Sequence, residues 1–165
     1  MSNSKIAIIM GSESDFTVMQ GSADYLKKFE IPYEITIVSA HRTPKRLYEF
    51  AKTAKDKGFK VIIAGAGGAA HLPGMVAALT SLPVIGVPIG TSALNGEDSL
   101  LSIVQMPPGV PVATMAINGS VNAAIFAAQI LATNDQDLLE KVDSYKKDME
   151  EKVISSTKKM EENDN

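Results

Sequence analysis

From Val61 to Gly96 the chain carries no Asp, Glu, Lys or Arg. An uncharged stretch of that length belongs either in a bilayer or in the middle of a domain. Pro73, Pro83, Pro88 and several glycines cut it into pieces too short for a spanning helix. The pieces are β-branched runs followed by small-residue turns and short helical patterns, which suits buried parallel strands joined by helices. The stretch therefore reads as the interior of an α/β domain, and no membrane span is expected.

The same alternation extends over the rest of the chain. Strands are expected at Lys5–Met10, Tyr33–Val38, Lys60–Ala64, Pro83–Val87 and Val112–Ile117, with helices beginning near Asp15, Pro44, His71, Ser99 and Val121. Thr43 followed by Pro44 reads as an N-cap and first-turn pair. Repeated βαβ units of this kind give three layers, a parallel sheet with helices on both faces in a flavodoxin-like α/β fold. At 165 residues, 45% of them hydrophobic, one domain is expected over 1–165.

From Asp135 the composition turns charged, yet Leu138, Val142, Tyr145, Met149 and Val153 recur at helical spacing. This predicts a C-terminal amphipathic helix over about 135–160, packed on its own domain or on a neighbouring subunit, with a frayed tail at 161–165. The short polar N-terminus leads straight into an apolar strand without a signal-peptide pattern, so a cytoplasmic location is expected. The net charge of −3 argues against a nucleic-acid partner, and the lack of cysteine removes thiolate nucleophiles and cysteine-ligated metals.

In an open parallel sheet, ligands bind beyond the carboxyl ends of the strands. Three successive strand ends carry unusual residues. After the first, Gly11 allows a tight turn, and Ser12 and Ser14 offer hydroxyls beside the free N–H groups of a helix start, which suits a phosphate. Ser14 or Asp15 could equally cap that helix. A carboxylate would repel a phosphate, so Asp15 fits neutral hydroxyls such as those of a ribose.

After the second strand come Ser39, Ala40, His41 and Arg42. Arg42 offers a two-pronged guanidinium to an anion, and Ser39 adds a hydroxyl. His41 titrates near neutrality, which makes it either a general acid or base or a solvated loop histidine. The third strand ends in Gly65-Ala66-Gly67-Gly68-Ala69-Ala70-His71. No acidic residue follows at the distance a dinucleotide fingerprint needs, so NAD is disfavoured. Small residues here suit a close approach of backbone to a flat ligand. His71 is a second polar contact, or a helix-capping or core histidine. No catalytic zinc triad or Walker loop is present, which leaves unaided acid–base chemistry without metal or cofactor.

Together, the blocks Gly11 to Asp15, Ser39 to Pro44 and Ala64 to Met75 resemble one family, N5-carboxyaminoimidazole ribonucleotide mutase. A fourth block, Asp98 to Pro107, resembles the bacterial mutase branch and differs from the vertebrate-type carboxylase branch that uses free CO2. The resemblance runs roughly from Ile6 to Ala132. It implies an isomerase of purine biosynthesis that moves a carboxylate from the exocyclic nitrogen of an aminoimidazole ribonucleotide to ring carbon 4, through CO2 trapped in the site. His41 would shuttle the proton. Ser12, Asp15 and Arg42 would bind the ribonucleotide with Ser14 and Ser39 nearby, and Gly67, Ala70, His71 and Leu72 would complete the substrate site. No cofactor is implied. The family's homo-octamers, with sites between subunits, imply the same assembly here.

Two departures stand out. Asn118-Gly119-Ser120 replaces a longer Gly-Lys-Ala-Gly stretch, and Gly90 stands where a glutamine is common in the family. The alternatives are a carboxylase using free CO2 and a non-catalytic nucleotide-binding module.

Overall fold

The computed structural model describes residues 5–163. Five strands, β1 (Lys5–Met10), β2 (Tyr33–Ile37), β3 (Phe59–Gly67), β4 (Val84–Ile89) and β5 (Ala113–Thr114), form one parallel sheet in the order β2-β1-β3-β4-β5. This is the expected flavodoxin-like order, and the chain reverses direction across the sheet at β1. The ligand crevice of such a sheet lies at the carboxyl ends of β1 and β3.

Because strand side chains alternate, each central strand serves two cores. Ile6, Ile8 and Met10 of β1, Val61 and Ile63 of β3, and Ile85 and Val87 of β4 pack with α1 (Phe16–Lys28), α5 (Ser120–Ala132) and α6 (Gln136–Asn163). Ala7 and Ile9, Ile62 and Ala64, and Val84 face α2 (Pro44–Thr53), α3 (Leu72–Ala77) and α4 (Glu97–Val104). Each buried isoleucine contributes about 1.5–3 kcal/mol by leaving water. The uncharged stretch thus supplies β4 and most of β3, two of the three inner strands, as its composition predicts. No helix among the described residues is long and apolar enough to cross a membrane.

Several element bounds differ from the sequence reading: β2 stops at Ile37 instead of Val38, β3 spans Phe59–Gly67 instead of Lys60–Ala64, and β4 spans Val84–Ile89 instead of Pro83–Val87. β5 is two residues long instead of six. Gly86 and Pro88 turn their carbonyls toward it, accepting from Met115 N–H at 2.9 Å and Asn118 N–H at 2.8 Å. Pro88 has no N–H to donate in return, so the regular pairing stops after Thr114. The terminal helix spans Gln136–Asn163, past its expected end at about 160, and 164–165 lie outside the described residues.

α1 ends in a Schellman motif, with Ile31 N–H donating to Leu26 C=O at 2.9 Å and Glu30 N–H to Lys27 C=O at 3.0 Å. Glu30 takes the left-handed position at φ 58°.

Candidate active site

The loops after β1, β2, β3 and β4 surround a cleft of about 400 Å³, within the usual size of a small-molecule site. Ser12, Ser14, Asp15, Ser39, His41, Arg42, Gly67, His71 and Leu72 all line it. Ala70 does not. It is buried behind the wall, where its N–H turns back to the Gly68 carbonyl at 2.8 Å.

The first wall is a short 3-10 turn, Glu13–Asp15, that leads into α1. Asp15 N–H donates to the Ser12 carbonyl at 3.2 Å, and Ser12 N–H returns a bond to Asp15 Oδ2 at 3.2 Å. The Ser12 and Ser14 hydroxyls are hydrogen-bonded to each other, so one group of donors and acceptors forms at the mouth of the cleft. Asp15 is buried, and that burial pushes its carboxyl above its usual range. The Ser12 N–H, the Ser14 hydroxyl, the Gly11 N–H and the Arg42 charge act in the opposite direction.

The second wall is the β2–α2 loop. Ser39 and Thr43 exchange two bonds, Ser39 N–H to Thr43 Oγ1 at 3.1 Å and the Thr43 hydroxyl to Ser39 C=O at 2.9 Å. Thr43 stands at the N-cap with Pro44 in the first turn, as the sequence indicates, but its hydroxyl ties the loop together and does not cap α2. Arg42 Nη2 donates to Gly11 C=O at 3.0 Å, and its Nε to Ser39 Oγ at 3.3 Å. The guanidinium thereby joins the first two walls, and its remaining donors stay available to an anion.

The third wall is the glycine-rich turn after β3. It ends at His71, which holds the N-cap position of α3 without a side-chain cap bond. Its Nδ1 lies 2.9 Å from His41 Nε2, with the rings at 90°. In neutral imidazoles one of these nitrogens carries the proton and the other accepts it. His71 is therefore neither a core nor a capping histidine but the partner of His41.

Sequence reasoning missed the fourth strand end, where Ile89, Gly90 and Thr91 also line the cleft. Gly90 N–H donates to Asn118 Oδ1 at 2.8 Å, so the two departures from the family pattern meet each other. A side chain at Gly90 would bring its Cβ to 3.1 Å from Asn118 Nδ2. Their pairing was the available signal, since both follow adjacent strands. Among the described residues, no group of three or more His, Asp or Glu is placed to hold a metal ion.

A family model described as AIR carboxylase matches residues 5–152. The chain belongs to the AIR carboxylase family. Among AIR carboxylase relatives, N5-carboxyaminoimidazole ribonucleotide mutase of Pyrococcus horikoshii is 60% identical over 157 residues, covering 95% of this chain and 89% of the relative. The protein of the same name from Thermotoga maritima is 59% identical over 158 residues, covering 96% and 92%. The crystal structure of Treponema denticola PurE superposes with a TM-score of 0.87 at 30% identity, covering 95% of this chain and 98% of that one. The family match extends past Ala132 into α6, beyond the stretch that the motifs alone cover.

Proposed function

We propose that this chain is an N5-carboxyaminoimidazole ribonucleotide mutase, which converts the carbamate on the exocyclic nitrogen into the 4-carboxylate. One observation carries the reading: 59–60% identity, over nearly the whole chain, to proteins of that name. The cleft supports the chemistry. Arg42, Ser12 and Ser14 form the anion-binding end, Asp15 accepts from ribose hydroxyls, and the backbone of Gly67 to Ala69 lies against the flat imidazole.

His41 reaches into the same space and carries the proton. It donates to the exocyclic nitrogen as the N–C bond of the carbamate breaks, releasing CO2 and the neutral aminoimidazole. Ring carbon 4 then attacks the CO2 carbon, forming the new C–C bond, and its proton returns to His41. No electrons are gained or lost, and His41 ends in its starting form. A cleft walled by four loops keeps CO2 beside the ring long enough for recapture.

We further propose that the enzyme works in the cytoplasm as a homo-octamer. The exposed apolar residues Met149, Val153, Ile154 and Met160 of α6 support an assembly that covers them. Sedimentation at the mass of eight chains is the expected result.

The test is an ultraviolet assay of purified protein with the carbamate, and separately with the aminoimidazole ribonucleotide plus bicarbonate. Fast conversion of the carbamate is expected, with little from bicarbonate. The reverse preference would make the protein a carboxylase, and binding without turnover would make it a nucleotide-binding module.

A further inference from the structure

Gly67 and Ile89 form the last register pair of β3 and β4, and both line the cleft. One residue later the ladder is broken, because Gly68 turns into the left-handed region at φ 67°. Its N–H does not go unpaired. It donates to Ser99 Oγ at 2.9 Å, and the Ser99 hydroxyl donates onward to Ile89 C=O at 2.7 Å. Ser99, on the first turn of α4, is fully buried, and its hydroxyl is used as both acceptor and donor. It acts as one extra rung between two strands whose backbones no longer reach each other.

The Gly68 carbonyl is held as well. It accepts from Ala70 N–H at 2.8 Å and faces Ser102 Oγ, one turn further along α4, at 3.3 Å. The Ser102 proton goes to Asp98 C=O, the shorter contact at 2.7 Å. Since no peptide bond among the described residues is cis, a Gly68 carbonyl turned toward α4 sends the Ala69 N–H the opposite way, and Ala69 lines the cleft. Among the described residues, no bond uses that N–H.

We propose that Ser99 is a positioning residue for the carboxylate transfer, which fixes the Gly68 peptide and so keeps the Gly67–Ala69 wall, with its free N–H, closed against the trapped CO2. This rests on the mutase reading. Ser99 does not itself line the cleft and acts through Gly68 and Ile89, which do. Removing its hydroxyl leaves one donor and one acceptor unsatisfied at the wall, and a wall that gives way leaks CO2 to solvent.

The test compares Ser99→Ala with wild type in two measurements. The first is amide hydrogen exchange of a peptide spanning 66–71 in the free protein, where Ser99→Ala should exchange faster while the β1 peptide stays unchanged. The second is the product ratio during enzymatic turnover, corrected for the uncatalysed loss of CO2. Ser99→Ala should release more decarboxylated aminoimidazole ribonucleotide per 4-carboxylate formed, with kcat down about tenfold to a hundredfold and KM changed less. Ser99→Thr, which keeps the hydroxyl, should restore the ratio. If Ser99→Ala does not fold, Ser99→Cys, with its weak donor and acceptor, takes its place.

A variant with a lower Tm but an unchanged product ratio overturns the positioning role, as does unchanged exchange at 66–71. A wild-type protein that turns over neither substrate overturns the mutase reading and the positioning role with it, while faster exchange in the variant would still establish the hydroxyl rung.

Discussion

His41 and His71 stand thirty positions apart in the chain and meet edge to face, with Nε2 and Nδ1 2.9 Å apart. They arrive on two loops that leave neighbouring regions of the sheet, after β2 and after β3. The contact gives His41 a fixed ring orientation before any ligand enters. His41→Asn should therefore keep the wild-type Tm, because the ring is exposed in the cleft, and should lower kcat by at least about a hundredfold. His71→Ala should also keep the Tm but cost only about tenfold in kcat, since it removes the orientation and leaves the proton carrier. Steady-state rates and thermal melts check both, and equal losses would give the two rings equal roles.

Asp15 links stability to pH in a direction that can be tested. Burial raises its folded pKa, so the stability it lends is fully present below the unfolded value of 3.8 and is lost as pH rises through the folded value. Asp15→Asn should melt at or above the wild-type temperature at neutral pH, and this advantage should shrink as pH falls to about 3. The variant should bind substrate at least about tenfold more weakly, because the carboxylate is the better acceptor of ribose hydroxyls. Melts across pH and a KM measurement test this, and a Tm difference independent of pH would contradict the linkage.

Glu30 occupies a position that favours glycine. Its φ of 58° strains a side-chain-bearing residue, and its ion pair with Lys141 is exposed. Glu30→Gly should raise Tm by about 1–3 °C, as read by calorimetry, because relief at the helix end outweighs a screened surface pair.

Gly86 is the opposite case. A Cβ there would fall 2.6 Å from Ile103 Cγ2 and 2.9 Å from Val112 Cγ1, both held in a packed layer. Gly86→Ala should destabilise the protein by about 1–3 kcal/mol in denaturant unfolding, by pushing α4 off the sheet.

The architecture was legible because the strands that matter are buried on both faces, and Ile6 to Met10 and Val61 to Ala64 show this as unbroken apolar runs. β5 was misjudged because its limit is set by Pro88, a residue of the neighbouring strand. The three glycine, serine and histidine loops were legible from their place after strands. The His41–His71 contact was not, because the distance between two loop tips depends on strand order and register. Ser99 stayed hidden for a similar reason. It lies on the first turn of an ordinary amphipathic helix, and only the left-handed Gly68 on another loop gives its hydroxyl a task.

The sheet order also sets the sequence in which the chain must be made safe. When β3 leaves the ribosome, β1 is already there to pair with one of its edges, and β2 covers the far side of β1. The other edge stays open until β4 follows, and the segment Val61 to Ala66 carries no charge to keep strangers away. Chains truncated between Gly67 and Val84 should thus aggregate more readily than the complete chain, because β4 then no longer covers that edge.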